Sequence, residues 1–447
     1  MGVEGIFDLS RKGKLHGRLS IKMKAAVISS LSNEVPDCVF PLHEGNRVTL
    51  YQDANCTHLP CSVTGSLGAP YVPQSTWNDV YDAITKAKNF ILITGWSVKT
   101  SITLIRSQNE QKESLGRLLM IKAHENVQVR LLLWDEITST DMKTKGAMST
   151  FDNETKEYFK NTPVQVALAL RKKKSKRPVK DGCFTSVCYS HHQKNIIVDV
   201  EDPSNPNGQR HIASFVGGLD LTAGRYDTPE HQLFKTLTAE HKDDFYNNVV
   251  STNVNSGPRQ PWHDIHSKIE GPAANDVLQN FLDRWNKQGF SKEPLNFNNI
   301  DYKFLYQGPD HWSVQVFRSI SQDSVAFDLN YLRNLKNRLT AKKGMMYDNS
   351  LQRAYIHQIQ KAERFIYIEN QYFLGSSHFW RNCRDISVKN LIPLEIATKV
   401  AKKIRNGEQF AVYILIPMFP EGNPEDIVMQ EIIHWQFHTI EMMYKIV

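Results

Sequence analysis

The chain has 447 residues, 40% hydrophobic and 23% charged. That composition excludes a disordered, collagen-like or coiled-coil chain and, at roughly 150 residues per domain, sets the scale at about two or three domains or one two-lobed unit. Lys and Arg number 54 against 47 Asp and Glu, a net charge of +7, which permits an anionic partner without demanding one.

The N-terminal segment MGVEGIFDLSRKGK lacks the apolar core of a signal peptide, and Ile6 breaks the myristoylation pattern that Gly2 would begin. Residues 4–25 read as two short strands around Lys12-Gly13-Lys14, with Ile6, Leu9, Leu19, Ile21 and Met23 as their apolar positions. Two strands bury no core of their own. From about residue 44 the pattern is α/β. Trp77, Val80, Tyr81 and Ile84 recur at helical spacing over 75–89, and Phe90-Ile91-Leu92-Ile93 follows as a buried strand. A second helix over 114–126 leads into a strand from Val127 to Trp134, and Val164 to Leu170 is another. The run Arg171 to Lys180 (RKKKSKRPVK) is too polar for a core and reads as a loop. Strands near 193–200 and 211–217 follow. A helix with Val277, Leu278, Phe281, Leu282 and Trp285 on one face closes this lobe.

The second half restarts with a helix over 349–364, the strand FIYIENQYF, a helix over 395–406 and the strand FAVYILIPM. The pattern K-A-x-x-F-I-x-I occurs at Lys86-Ala87-Phe90-Ile91-Ile93 and again at Lys361-Ala362-Phe365-Ile366-Ile368, and Ile84 matches Ile359 at the same offset of 275. A matched order of four elements predicts a duplicated lobe. Residues 426–447 read as an amphipathic helix that stops without a Gly, Asn or Pro signal, as in a truncated chain. The apolar run from Phe410 to Phe419 is about half of what crosses a bilayer, so any membrane contact is expected to be peripheral. Six cysteines with no CxxC pair predict a reduced, cytoplasmic protein. Cys56 and Cys61 have no second pair to complete a zinc site and read as free thiols.

The chemistry centres on Cys188 to Asp199 (CYSHHQKNIIVD). On a strand, His192 and Lys194 would share one face, and Ile196-Ile197-Val198 would anchor that strand in a core. An imidazole beside a fixed ammonium suits attack on a phosphodiester, the first as nucleophile and the second as a clamp on non-bridging oxygens. The same spacing also fits a solvated surface strand.

His192-x-Lys194-x4-Asp199 resembles the HKD motif of the phospholipase D superfamily. The flanks SFVGGLDLTAGRYDTPEH, PRQPWHDIHSKIEGPAANDVLQNFLDRW and FIYIENQYFLGSS, with LYQDA and ITGWSV, resemble the plant-type phospholipase D. The resemblance implies an α/β fold of two related lobes with mixed central sheets flanked by helices. It divides the chain into a remnant of a calcium- and lipid-binding β-sandwich over 1–40, a first lobe over 41–310 and the start of a second lobe over 311–447, ending before its own HKD motif. It further implies a shared two-histidine site that cuts phosphatidylcholine-like lipids to phosphatidic acid through a phosphohistidine. His192 would be one of that pair, Lys194 would bind phosphate and Asp199 would support the motif. Gln371 matches a phosphate-contacting position, and Asp53, His231 and His263 match positions of a Ca2+ site. Oxygen ligands suit calcium better than imidazole does. The partner expected is a phospholipid surface bound by a monomer, with acidic lipids or phosphoinositides at 171–180 and no nucleic acid. No second HxKxxxxD occurs in the 447 residues, so a fragment that binds lipid or phosphate without turnover is the alternative expectation.

Overall fold

The computed structural model describes residues 34–53, 56, 62–64, 68, 70–106, 112–136, 138–139, 148–171, 190–202, 208–247, 253–289, 293–327, 339–342, 345–377, 380, 389–417, 421–425 and 427–447, with the backbone of 2–11 and 14–24. Two antiparallel strands, β1 (Gly2–Arg11) and β2 (Lys14–Lys24), form a ribbon. Then follow β3 (Leu42–Tyr51), α1 (Thr76–Lys86), β4 (Phe90–Gly95), α2 (Leu115–His124), β5 (Gln128–Trp134), α3 (Asp152–Tyr158), β6 (Gln165–Ala169), β7 (Asn195–Glu201), β8 (Arg210–Gly217), β9 (His266–Glu270), α4 (Pro272–Gln288) and β10 (Trp312–Gln315). Of the basic run only Arg171 is described; the rest of it, and Cys61, lie outside the described residues.

One mixed eight-stranded sheet, in the order β10-β3-β9-β8-β7-β4-β5-β6, organises this lobe. β4, β5 and β6 run parallel, and β7 to β9 join them antiparallel. Its central strands are apolar on both faces because helices cover both. Ile91, Ile93, Leu131, Leu133, Val198 and Phe215 face a core shared with Trp77, Ile84, Leu115 and Leu119 of α1 and α2. Leu92, Leu132, Ile197 and Ile212 face Val277, Leu278, Phe281 and Trp285 of α4. Continuous apolar runs, rather than alternation, are what double coverage produces. Trp312–Gln315 pairs with β3, so this sheet draws on residues past 310.

After β11 (Ile320–Ser321), β12 (Thr340–Lys342) and β13 (Met345–Asp348) come α5 (Ser350–Lys361), β14 (Phe365–Glu369), α6 (Ile392–Arg405), β15 (Ala411–Leu415) and α7 (Ile427–Ile446). The internal repeat is visible as geometry. α1–β4–α2–β5 and α5–β14–α6–β15 each build a parallel strand pair, with Phe90 opposite Gln128 in one and Phe365 opposite Ala411 in the other. The matched alanines do the same job: Ala87 and Ala362 each end their helix in an extended conformation, and each donates its N–H back into the last turn. Ile84 and Ile359 are both buried beneath.

Candidate active site

The ends of several strands meet at one edge of the large sheet. The exits of β3, β4, β5 and β8 and the entries of β7 and β9 converge there, because Thr94 lies opposite Asn195, Asn195 opposite Val216, and Gly217 and Tyr51 opposite His266. Gly217 and Gly218 permit that convergence. A Cβ on Gly217 would stand 2.6 Å from the Ile265 carbonyl oxygen, and one on Gly218 would stand 2.2 Å from an Asp264 oxygen.

His192 and Lys194 lie in the extended segment just before β7 rather than on the strand. β4 ends at Gly95 and β8 at Gly217, the residues these registers set opposite Lys194, so His192 lies past the ends of both neighbours and has no strand to pair with. The Lys194 ammonium instead turns back to donate to the His192 carbonyl, 3.1 Å away, and pairs with Asp220 Oδ2 at 3.2 Å. Asp220 Oδ1 accepts from the Trp96 and Ser97 amides at the exit of β4, 3.0 and 3.4 Å away. The buried lysine is thereby fixed to two strands at once. Burial pushes the lysine down and the carboxyl up, and their mutual attraction opposes both shifts.

The His192 side chain is open to solvent, yet protein surrounds it on the other sides: Trp96 meets its ring edge-on at 5.9 Å and stacks on Trp134. That crowding, with the Lys194 and Arg225 cations, depresses its pKa to about 3. The imidazole is therefore neutral at pH 7, the form that a nucleophile or general base requires. Arg225 is buried, stacks over Trp262 at 3.8 Å and donates to the Ala223 carbonyl. Asp264 accepts from Trp262 Nε1 at 2.7 Å, and burial raises its carboxyl. Asp220, Arg225, Trp96 and Trp262 were not singled out by spacing; the signal was the flanks themselves, SFVGGLDLTAGRYD for Asp220 and Arg225, ITGWSV for Trp96 and PRQPWHDIH for Trp262.

Asp199 is elsewhere. Five residues along β7, at the opposite end of the sheet, its fully buried carboxylate accepts from the Lys88, Asn89 and Phe90 amides and Asn89 Nδ2, and pairs with Arg210. It staples the α1–β4 junction to β7 and does not face His192.

Asp53, His231 and His263 do come together, with their ligand atoms within 4.8 Å of one another. Asp53 Oδ2 stands 2.8 Å from His231 Nε2 and 3.0 Å from His263 Nδ1. His231 takes a left-handed backbone (φ 48), and its Nδ1 meets Asp227 Oδ2 at 3.0 Å. A carboxylate behind an imidazole is the usual backing of a metal-ligating histidine. Its bonds to Asp227 and Asp53, against burial, raise His231 to about 10, and Asp53 raises His263. Burial would lift the Asp53 carboxyl, but the two imidazoles hold it far below the usual range. The donor set fits a divalent cation, which would have to displace the protons that now hold it together. Asp53 and Glu369, the latter 3.7 Å from His263 Nε2, are the oxygens that calcium favours.

Glu369 belongs to the second lobe, and so does Gln371. Gln371 Nε2 donates to Glu421 Oε2 at 3.1 Å, and Glu421 Oε1 accepts from the Tyr246 hydroxyl at 2.6 Å. Tyr246 lies under Arg225, 5.1 Å from ring centre to guanidinium carbon. The lobes therefore meet beside Arg225: hydrogen bonds run from Gln371 through Glu421 to Tyr246, and Tyr246 lies under the guanidinium whose charge acts on His192.

A sheet edge that presents a neutral imidazole, a buried ammonium and a guanidinium brings a nucleophile or base together with fixed positive charge. The phospholipase D family model matches residues 83–447, and the chain belongs to that family. It is 45% identical over 437 residues to phospholipase D gamma 1 of Arabidopsis thaliana, covering 92% of this chain and 50% of that protein. It is 44% identical over 434 residues to phospholipase D alpha 1 of Carica papaya, covering 92% and 53%. The chain thus spans about half the length of the curated relatives it matches. A solved phospholipase D family member, Nuc from Salmonella typhimurium, is similar over 55% of this chain and 95% of its own, at 13% identity and a TM-score of 0.24, too low to bear on fold or function.

Proposed function

We propose that the protein is a phospholipase D that hydrolyses the terminal phosphodiester of a phosphatidylcholine-like lipid to phosphatidic acid and the free head group. The observation that carries this is the His192–Lys194–Asp220 arrangement: a neutral, solvent-reachable imidazole beside an ammonium locked by a buried carboxylate. In a two-histidine site one imidazole bonds to phosphorus as the bond to the head-group oxygen breaks. The departing alkoxide takes a proton from the other imidazole. That imidazole then deprotonates water, which attacks phosphorus and releases the first histidine. The ammonium of Lys194 stabilises the charge gathering on the non-bridging oxygens. Gln371 would contact the same phosphate, a reading supported by its link through Glu421 to Tyr246.

One HxKxxxxD motif occurs in the 447 residues, so this chain supplies one histidine of the pair. Residues 1–447 alone are expected to show little lipid hydrolysis while still binding a phosphodiester. Robust turnover by the purified chain, unaffected by His192→Ala, would refute the assignment; turnover abolished by that change would mean two copies complete the site.

The Asp53–His231–His263 cluster is the proposed Ca2+ site, where the ion would supply positive charge between the lobes. Added Ca2+ should raise the melting temperature of the wild type and not that of Asp53→Ala. Lipid is met at a membrane surface: among the described residues no helix is long and apolar enough to cross one. The basic run at 171–180 is the proposed contact for acidic head groups, and neutralising Lys172, Lys173 and Lys174 should weaken binding to acidic vesicles.

A further inference from the structure

The helix α7 carries two histidines one turn apart. His434 and His438 stand at i and i+4, so their side chains lie one above the other on the same face. Their ring centres are 4.5 Å apart, with the ring planes at 74°. His434 is exposed and His438 partly so. His438 Nδ1 lies 3.1 Å from Glu441 Oε2, an acceptor, so the neutral ring donates from Nδ1 and leaves Nε2 bare. Beyond that contact neither imidazole makes a hydrogen bond among the described residues. Trp380 covers the pair from one side, its ring 6.5 Å from His434 and 5.2 Å from His438.

That arrangement has the elements of a chelate. Two histidines four apart on a helix can face a common ion. Imidazoles bound to one ion at about 2 Å, in adjacent coordination positions, have ring centres roughly 4.5–5 Å apart; the pair on α7 already has that spacing. A carboxylate on the far nitrogen fixes the tautomer of a ligating histidine and raises its basicity. Glu441, itself held by Lys445 at 2.5 Å, supplies it. An imidazole donor set suits zinc- and copper-class divalent ions, whereas calcium and magnesium want oxygen. The same stretch of α7 holds a neighbouring segment. Gln436 Oε1 accepts from the Phe373 amide at 3.3 Å, and the buried Thr439 Oγ1 accepts from the Gly375 amide at 3.0 Å. Phe373 and Gly375 follow Gln371 by two and four residues.

We infer that His434 and His438 form a binding site for a divalent metal of the zinc and copper class, distinct from the Asp53–His231–His263 cluster, with water in the remaining coordination positions. An ion bridging the two side chains ties successive turns of α7 together where Gln436 and Thr439 hold the segment after β14. The bound metal thereby stiffens the run from Gln371 to Gly375. The consequence for phosphate, though not metal binding itself, rests on Gln371 being the phosphate contact.

Copper(II) quenches the fluorescence of nearby tryptophans, and Trp380 and Trp435, with ring centres 4.7 Å apart, are the reporters. Titration of CuCl2 into Asp53→Ala, which disables the other cluster, should give saturable quenching that EDTA reverses. ZnCl2 should compete, and millimolar CaCl2 should not. His434→Ala places a strong helix former at an exposed position, so the fold is kept; it should weaken copper on the order of tenfold or more, as should His438→Ala. The His434→Ala difference is read in the wild type as well, so it does not depend on the folding of Asp53→Ala. Trp380→Phe should reduce the amplitude and leave the midpoint where it was. Zinc should also slow amide exchange at 371–375 in Asp53→Ala and not in Asp53→Ala/His434→Ala. Quenching indifferent to both histidine substitutions, or displaced by CaCl2 as readily as by ZnCl2, would overturn the site, and exchange at 371–375 unchanged by zinc would overturn its coupling to that segment.

Discussion

Replacing Asp199 with Asn separates the two roles that an HKD aspartate can have. In the structure this side chain is entirely buried and answers Arg210, which is itself buried and also bonds Glu201 at 2.8 Å and two backbone carbonyls. The same carboxylate takes three successive amides, Lys88, Asn89 and Phe90, at the start of β4. Asn keeps one acceptor oxygen but presents an amide to those donors and removes the charge opposite Arg210. Breaking one side of a buried pair costs about 3–5 kcal/mol. Glu201, exposed at the rim, recovers a part of that for Arg210. At about 2–4 °C per kcal/mol for a lobe of this size, the melting temperature should fall by roughly 10 °C. Differential scanning calorimetry measures it, and binding of a short-chain phosphodiester below the transition shows whether the site survives. The expected result is a large loss of stability with affinity per folded molecule within a few-fold of wild type. An unchanged melting temperature with lost binding would show that Asp199 acts at the phosphate and that its role as a staple is misread.

Three further outcomes follow from the same geometry. Lys194→Met leaves Asp220 buried and unpaired, so urea unfolding should show a loss of about 3–5 kcal/mol, largely restored in Lys194→Met/Asp220→Asn; equal stability of the single and double variants would contradict the buried pair. Burial would raise the Glu270 carboxyl, but the His211 bond and the Lys268 and Arg47 cations hold it at about 2. Its contribution is therefore complete above the unfolded value and is lost as pH falls from there through the folded one. Wild type should lose on the order of 2 kcal/mol between pH 6 and pH 2.5 that Glu270→Gln does not lose; parallel urea curves for the two would remove the argument. Tyr246→Phe deletes the 2.6 Å bond to Glu421, a charged acceptor worth about 1.5–3 kcal/mol. Faster amide exchange around 371 and 421–425, with little change in the large sheet, is expected, and unchanged exchange there would mean the bond does not hold the lobes.

The repeat, the element order and the boundaries of most helices were legible because they are local. Ser75 caps α1 from its side chain, and Ala87 ends it, within a few residues of the positions that periodicity suggests. The candidate site was legible in part. His192 and Lys194 were named from spacing, but their placement on a strand was not correct, because whether a residue joins a ladder depends on where the neighbouring strands stop. Asp220 and Arg225 carry no spacing signal: their importance comes from β8 delivering them beside a segment that begins some 25 residues earlier in the chain. Tyr246 and Glu421 are separated by 175 residues and meet only because the lobes do.

Composition, apolar runs and the two K-A-x-x-F-I-x-I segments were enough to define an α/β protein with a duplicated helix–strand unit. Those properties follow from backbone propensity and from which side chains must leave water, and both are written along the chain. Which carboxylate locks the ammonium, which staples a junction and which gathers two imidazoles was decided by the sheet. Those three aspartates are the same residue type: Asp199 is set apart by lying at the opposite end of the sheet, and Asp220 and Asp53, which follow β8 and β3 at the same edge, by the ammonium and the imidazoles that close around each.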